Sequence, residues 1–265
     1  MTETIGLLVS TLLLRPYVFL FLALYLWAAS SAIGWRRTAF FTAIAWAVAF
    51  AAEYSSTRNG IPFGYYSYTQ VTRSRELYLS NVPFMDSLSF TFLAYVSFAL
   101  AQWLRLPVGA GEQDAVRLRR SPAVLWLSAF LFMLIDVVID PLALRGDRWF
   151  LGRIYEYPSP GVYFGVPLSN FVGWGVVGIV IVALFQQGDR GLPPEAASGR
   201  GVRPLLLGAA LYYLILAFNL TMTFAIGEHL LGVVGLMLYA PITWLLVRRY
   251  WRQSAVQSFA HRGAF

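Results

Sequence analysis

Four carboxylic acids in this 265-residue chain stand where an acid is costly to keep. Glu53, Asp86, Asp136 and Asp140 each fall inside or at the end of an apolar run long enough to cross a bilayer. A carboxylate within hydrocarbon costs roughly 2.5–3.5 kcal/mol on insertion scales and less near the interface. Asp136 and Asp140 are spaced i, i+4, which places both on one face of a helix. Two carboxyl groups held side by side away from water suit acid/base chemistry, because each discourages ionisation of the other and one can serve as a proton donor.

The rest of the composition narrows that chemistry. All 20 positive charges are arginine, so neither a retinal-type Schiff base nor a lysine nucleophile is available. There is no cysteine, which removes disulfides, thiolate catalysis and Cys-ligated metals. With His229 and His261 alone, a histidine-rich di-iron site is not on offer. What remains is carboxylates, amides and aromatic rings, and aromatics make up 17% of the chain.

The elements that must carry these groups are membrane helices. The chain is 58% hydrophobic and 12% charged, far from a soluble domain. Seven apolar spans are expected near 16–34, 38–55, 83–104, 121–140, 166–187, 204–226 and 230–247, with residues 248–265 an interfacial tail. The expected fold is thus an all-α integral membrane bundle in a single polytopic domain, 1–265. Its first helix, from Pro16, reads as uncleaved, since Glu3 is the only charge before Arg15. Of the 20 arginines, 13 fall on the side holding loops 34–37, 105–120 and 188–203 and the C-terminus. Positive-inside reasoning makes that side, and the C-terminus, cytoplasmic. The net charge of +7 follows these short loops, so it argues for membrane orientation and no nucleic-acid partner.

Alternating helix direction then brings the polar groups together. Glu53, Asp86, Asp136, Asp140, Asn170, Asn219 and the Glu228–His229 turn all fall at the same end of the bundle, whichever way it is inserted. Two long loops lie at that end. One contains RNGIPFGYYSYT (Arg58–Thr69); the other is PLALRGDRWFLGRIYEYPSPGVYFG, from Pro141. Both are rich in glycine, proline and aromatics, and read as semi-rigid lids. A plainer reading pairs the acids with Arg58, Arg145, Arg148 or Arg153, leaves the asparagines as interhelical glue and leaves the loop aromatics to an interfacial belt.

An acid-lined, aromatic pocket at the membrane edge fits protonation of a polyprenoid alkene. The tertiary carbocation formed gains about 0.5–2 kcal/mol from each desolvated aromatic face, and a carboxylate or asparagine positions the water that traps it. In this reading Asp136 or Asp140 is the proton donor and Glu53 the base or water-positioning group. Phe63, Tyr65, Tyr66, Tyr68 and Trp149 line the pocket, with Asp86, Asn170 and Asn219 among its polar contacts. The mechanism draws on no cofactor and no metal.

The same residues carry a family resemblance. Glu53 followed by GIPFGYYSYT, then DVVIDPLALRGDRW, then YFGVPLSNFVGW resembles, in order from about residue 40 to 245, the membrane carotenoid-biosynthesis proteins typified by CruF. The resemblance implies a bacterial cytoplasmic-membrane enzyme acting on a lipid-embedded carotenoid. The family includes hydratases, bisanhydrobacterioruberin hydratases among their relatives, that add water across the C1,2 double bond of an acyclic end group. It also implies other carotenoid-pathway enzymes, such as a glycosyltransferase, as partners. Two alternatives stand beside it. One is a membrane carrier, transporter or binding protein for a carotenoid or other polyprenoid. The other is a magnesium-dependent prenyl transferase, suggested by the DxxxD spacing alone.

Overall fold

The structure is a computed structural model, and it describes residues 2–193 and 202–262. Part of the 188–203 connector therefore lies outside the described residues. Among the described residues eight helices carry the fold: α1 (Thr2–Leu14), α2 (Pro16–Asn59), α3 (Phe84–Arg105), α4 (Glu112–Arg119), α5 (Pro122–Ala143), α6 (Leu168–Asp189), α7 (Arg203–Ala225) and α8 (His229–Arg262). Six of them, α2, α3 and α5–α8, are long and apolar enough to cross a membrane. The short α1 and α4 are additions that apolar run length does not reveal.

At 44 residues, α2 is too long for one crossing, and Gly34 interrupts it with φ 73° and ψ 161°. The Tyr25 hydroxyl nevertheless lies 2.6 Å from Thr42 Oγ1. In a straight helix those residues would sit about 25 Å apart. The chain therefore reverses at Gly34, a backbone conformation open to glycine. α2 is a hairpin of two antiparallel spans, and the bundle has seven crossings. At the other end of the chain α8 runs on past residue 247 to Arg262, so the segment expected to lie at the interface is helical through that residue.

The central helix is α3. From Phe90 to Trp103 every residue is buried, as befits a helix apolar on all sides. α2, α5 and α7 pack around it. At the Arg-rich end, buried Asp189 accepts from Arg37 (2.5 Å), Arg119 (3.0 Å) and Arg120 (2.5 Å), tying three connections together.

The opposite end is organised by two small strand pairs. β1 (Ser67–Tyr68) pairs antiparallel with β4 (Tyr155–Glu156), in the register Ser67↔Glu156 and Tyr68↔Tyr155. β2 (Tyr78–Leu79) pairs with β3 (Val82–Pro83) and leads directly into α3. The first pair joins the two aromatic loops that the sequence leaves 84 residues apart, where Thr69 Oγ1 donates to Arg153 O at 2.6 Å. Below them the loop Gly60–Gly64 is pressed onto α6. A Cβ on Gly173 would lie 2.6 Å from Pro62 O and 2.7 Å from Phe63 Cδ1, so only glycine permits this approach.

Candidate active site

A cavity of about 160 Å³ opens at this end of the bundle. It is lined by Glu53 of α2, Asp86 of α3, Asp136 and Asp140 of α5, Asn170 of α6 and Asn219 of α7. Phe63, Tyr66, Tyr68 and Trp149 also face it. Tyr65 does not: it is 53% exposed and points away, because Tyr66 and Tyr68 take the inward positions of an extended segment whose alternate residues face out. Its expected place in the pocket wall is corrected accordingly.

The two aspartates are joined by one amide. Asn170 Nδ2 donates to Asp136 Oδ2 at 2.7 Å and to Asp140 Oδ2 at 3.1 Å. Asp140 receives two further donors, the Tyr155 hydroxyl on Oδ1 and the Tyr157 hydroxyl on Oδ2 at 3.0 Å. Asp136 Oδ1 is buried with no hydrogen-bond partner among the described residues. Glu53 is held from both sides: Tyr68 donates to Oε1 at 2.9 Å and Ser87 to Oε2. Asn219 donates to Ile215 O of its own helix at 2.9 Å and meets the cavity without bonding the acids.

Tyr155 and Tyr157 were not foreseen. Their spacing puts both on one side of an extended strand, but nothing local shows that the strand pairs with β1. Tyr66 lies edge-on to Tyr68, Tyr155 and Tyr157 at 5.4, 5.8 and 6.1 Å between centroids, so four tyrosines form one cluster above the acids. Burial, followed by the nearby carboxyl groups, holds all four phenols above their ordinary range. They therefore remain hydrogen donors. The cavity floor is aromatic as well, with Phe90 stacked on Trp174 at 4.3 Å and Phe132 4.7 Å from the same indole.

The arginines proposed as partners of the acids are engaged elsewhere. Arg58 bonds Tyr54 O and Asn81, Arg145 and Arg148 hold Glu228, and Arg153 holds Glu156. The cation at the cavity is one that sequence reading passed over. Buried Arg15, at the junction of α1 and α2, donates to both oxygens of fully buried Glu76 (3.3 and 3.0 Å) and to Leu151 O. Burial opposes its charge, but the Glu76 hydrogen bond together with the nearby Tyr17, Glu76 and Asp86 outweighs that and raises its pKa. Among the described residues no three of His, Cys, Asp and Glu gather closely enough to hold a metal ion.

Comparison with known proteins places this architecture. The model of the family described as "Carotenoid biosynthesis protein" matches residues 11–242. The chain is also similar to a curated protein of Haloarcula japonica named bisanhydrobacterioruberin hydratase, with 30% identity over 187 residues. That match covers 69% of this chain and 58% of the relative, so it spans less than two thirds of the relative's length. No solved structure matches. A seven-crossing bundle, an acid-lined aromatic cavity and a family match running from α1 into α8 lead to one assignment: this chain belongs to the carotenoid biosynthesis protein family.

Proposed function

We propose that this protein is a hydratase that adds water across the terminal C1,2 double bond of an acyclic carotenoid end group. The observation that carries the reading is the pair of aspartates bridged by Asn170, set beside Glu53 in one cavity and above a stacked aromatic floor. An acid of the Asp136–Asp140 pair gives its proton to C2, and the π electrons form the new C–H bond. The tertiary cation left at C1 lies against aromatic faces, which favour positive charge when desolvated. A water oxygen bonds to C1, and its surplus proton passes to Glu53, whose carboxyl group is held in place by Tyr68 and Ser87. One water is added, and no electron changes hands.

The name of the Haloarcula japonica relative supports a hydratase over a carrier. Burying several carboxyl groups together also serves proton transfer better than it serves passive binding of a hydrocarbon. In this reading the enzyme lies in the cytoplasmic membrane, with its C-terminus in the cytoplasm and its cavity near the outer face. A glycosyltransferase is a candidate to act on the hydroxyl product. The test is expression in a lycopene-accumulating host. Pigments heavier by one or two waters are expected, whereas unchanged pigment beside well-inserted protein counts against hydration of lycopene.

A further inference from the structure

The two aspartates of the bridged pair have unequal surroundings. Asp140 accepts from three donors, Tyr155, Tyr157 and Asn170, which together engage both of its oxygens. Among the described residues Asp136 accepts only from Asn170, and its Oδ1 is buried without a partner. Donors gathered around a carboxyl group favour its charged form, and a buried carboxylate oxygen left bare is costly. A neutral carboxyl group tolerates a bare oxygen far better. The tyrosines cannot exchange roles with their acceptor, since burial above all keeps both phenols protonated.

We propose that Asp136 holds and delivers the proton, that Asp140 remains a carboxylate facing the carbocation, and that Tyr155 and Tyr157 are positioning residues that enforce this division. The division rests on the hydratase reading for its catalytic meaning, but not for its structural content. Asp136 lines the cavity that the alkene enters: its carboxyl O–H bond breaks, the C2–H bond forms, and the positive charge at C1 is balanced by Asp140. Glu53 then takes a proton from the attacking water. That proton then returns from Glu53 to Asp136 to reset the site, and no other reactant is consumed.

Two measurements test this. In infrared difference spectra of the membrane-inserted protein, the D2O-sensitive carbonyl band of a protonated carboxyl group is expected to lose a component in Asp136→Asn and to keep it in Asp140→Asn. The reverse pattern overturns the proposal. In the Tyr155→Phe/Tyr157→Phe background, which keeps both rings, the two Asn variants are expected to become alike. If they stay as different as before, the tyrosines only pack. In D2O with an acyclic carotenoid, Asp136→Asn is expected to put no deuterium into substrate or product. Glu53→Gln is expected to exchange deuterium into recovered substrate while hydration falls at least tenfold. Deuterium incorporation by Asp136→Asn overturns the donor assignment. The infrared arm needs no turnover, so loss of the hydratase reading and loss of the asymmetry are separately visible.

Discussion

Tyr68 and Tyr155 face each other directly across the β1–β4 pair, yet their hydroxyls serve acids on different helices, Glu53 on α2 and Asp140 on α5. A strand pair two residues long therefore joins the hydroxyl donors of two cavity acids carried by different helices. Its register also decides which residues face inward, because a slip of one residue turns each side chain to the opposite face.

The first prediction follows from that pairing. Thr69 extends the ladder by donating its N–H to Ile154 O at 2.9 Å. Thr69→Pro removes this donor. Turnover is expected to fall at least tenfold while helical circular dichroism and detergent-solubilised yield stay near wild type.

Asp140→Asn keeps the shape of its side chain but removes the carboxyl group that three donors surround. Product formation is expected to vanish with the inserted protein still present, as judged by pigment analysis and immunoblotting of membranes. Full turnover in this variant would show that the role assigned to Asp140 is wrong.

Gly173 is where the first aromatic loop rests on α6. Gly173→Ala forces a Cβ into contact with Pro62 O and Phe63, and overpacking of this kind costs about 1–3 kcal/mol. A lower melting temperature and weaker activity are expected. Gly175→Ala, two residues along the same helix, meets nothing within 4 Å and should leave both unchanged.

At the far end of the bundle, Asp189→Asn strips the charge that holds Arg37, Arg119 and Arg120. Removing one member of a buried ion cluster costs about 3–5 kcal/mol. Thermal stability should drop sharply, whereas turnover per folded molecule should stay within about twofold of wild type, since the cavity lies at the other end of the helices.

Glu228 gives a pH signature of opposite scale. Burial opposes its charge, but hydrogen bonds from Arg145 and Arg148 outweigh this and hold its carboxyl below the ordinary range. A lowered folded-state value means the contribution is present above the unfolded pKa and is lost as pH falls through the folded one. Because the pair is open to solvent, its worth is under about 1 kcal/mol. Glu228→Gln should change the melting temperature slightly at neutral pH, and the difference from wild type should disappear on acidification.

Much of the site was legible in sequence because membrane topology is a one-dimensional problem. Charge-bounded apolar runs mark the crossings, and alternating direction then sorts Glu53, Asp86, Asp136, Asp140, Asn170 and Asn219 to one end without any knowledge of packing. The i, i+4 spacing of the two aspartates is likewise a property of the helix alone. The reversal at Gly34 is legible as well, since two spans must be separated by a turn.

Which groups touch was decided elsewhere. Asn170 meets Asp136 across 34 residues, Arg15 meets Glu76 across 61, and Tyr155 reaches Asp140 only because β4 finds β1. A local pattern carries no information about such pairs, because a two-residue strand has no periodicity and its register depends on a partner far along the chain. The misplacement of Tyr65 has the same origin. An extended segment shows which residues share a face, but only the surface it packs on decides which face is inside. The sequence by itself thus determined the class of the protein, the end of the bundle where the acids gather and the residue types that line the candidate site. Tertiary structure alone decided the pairing of acids with their donors, because hydrogen bonds between distant segments form only once the helices have packed and the loops above them have closed.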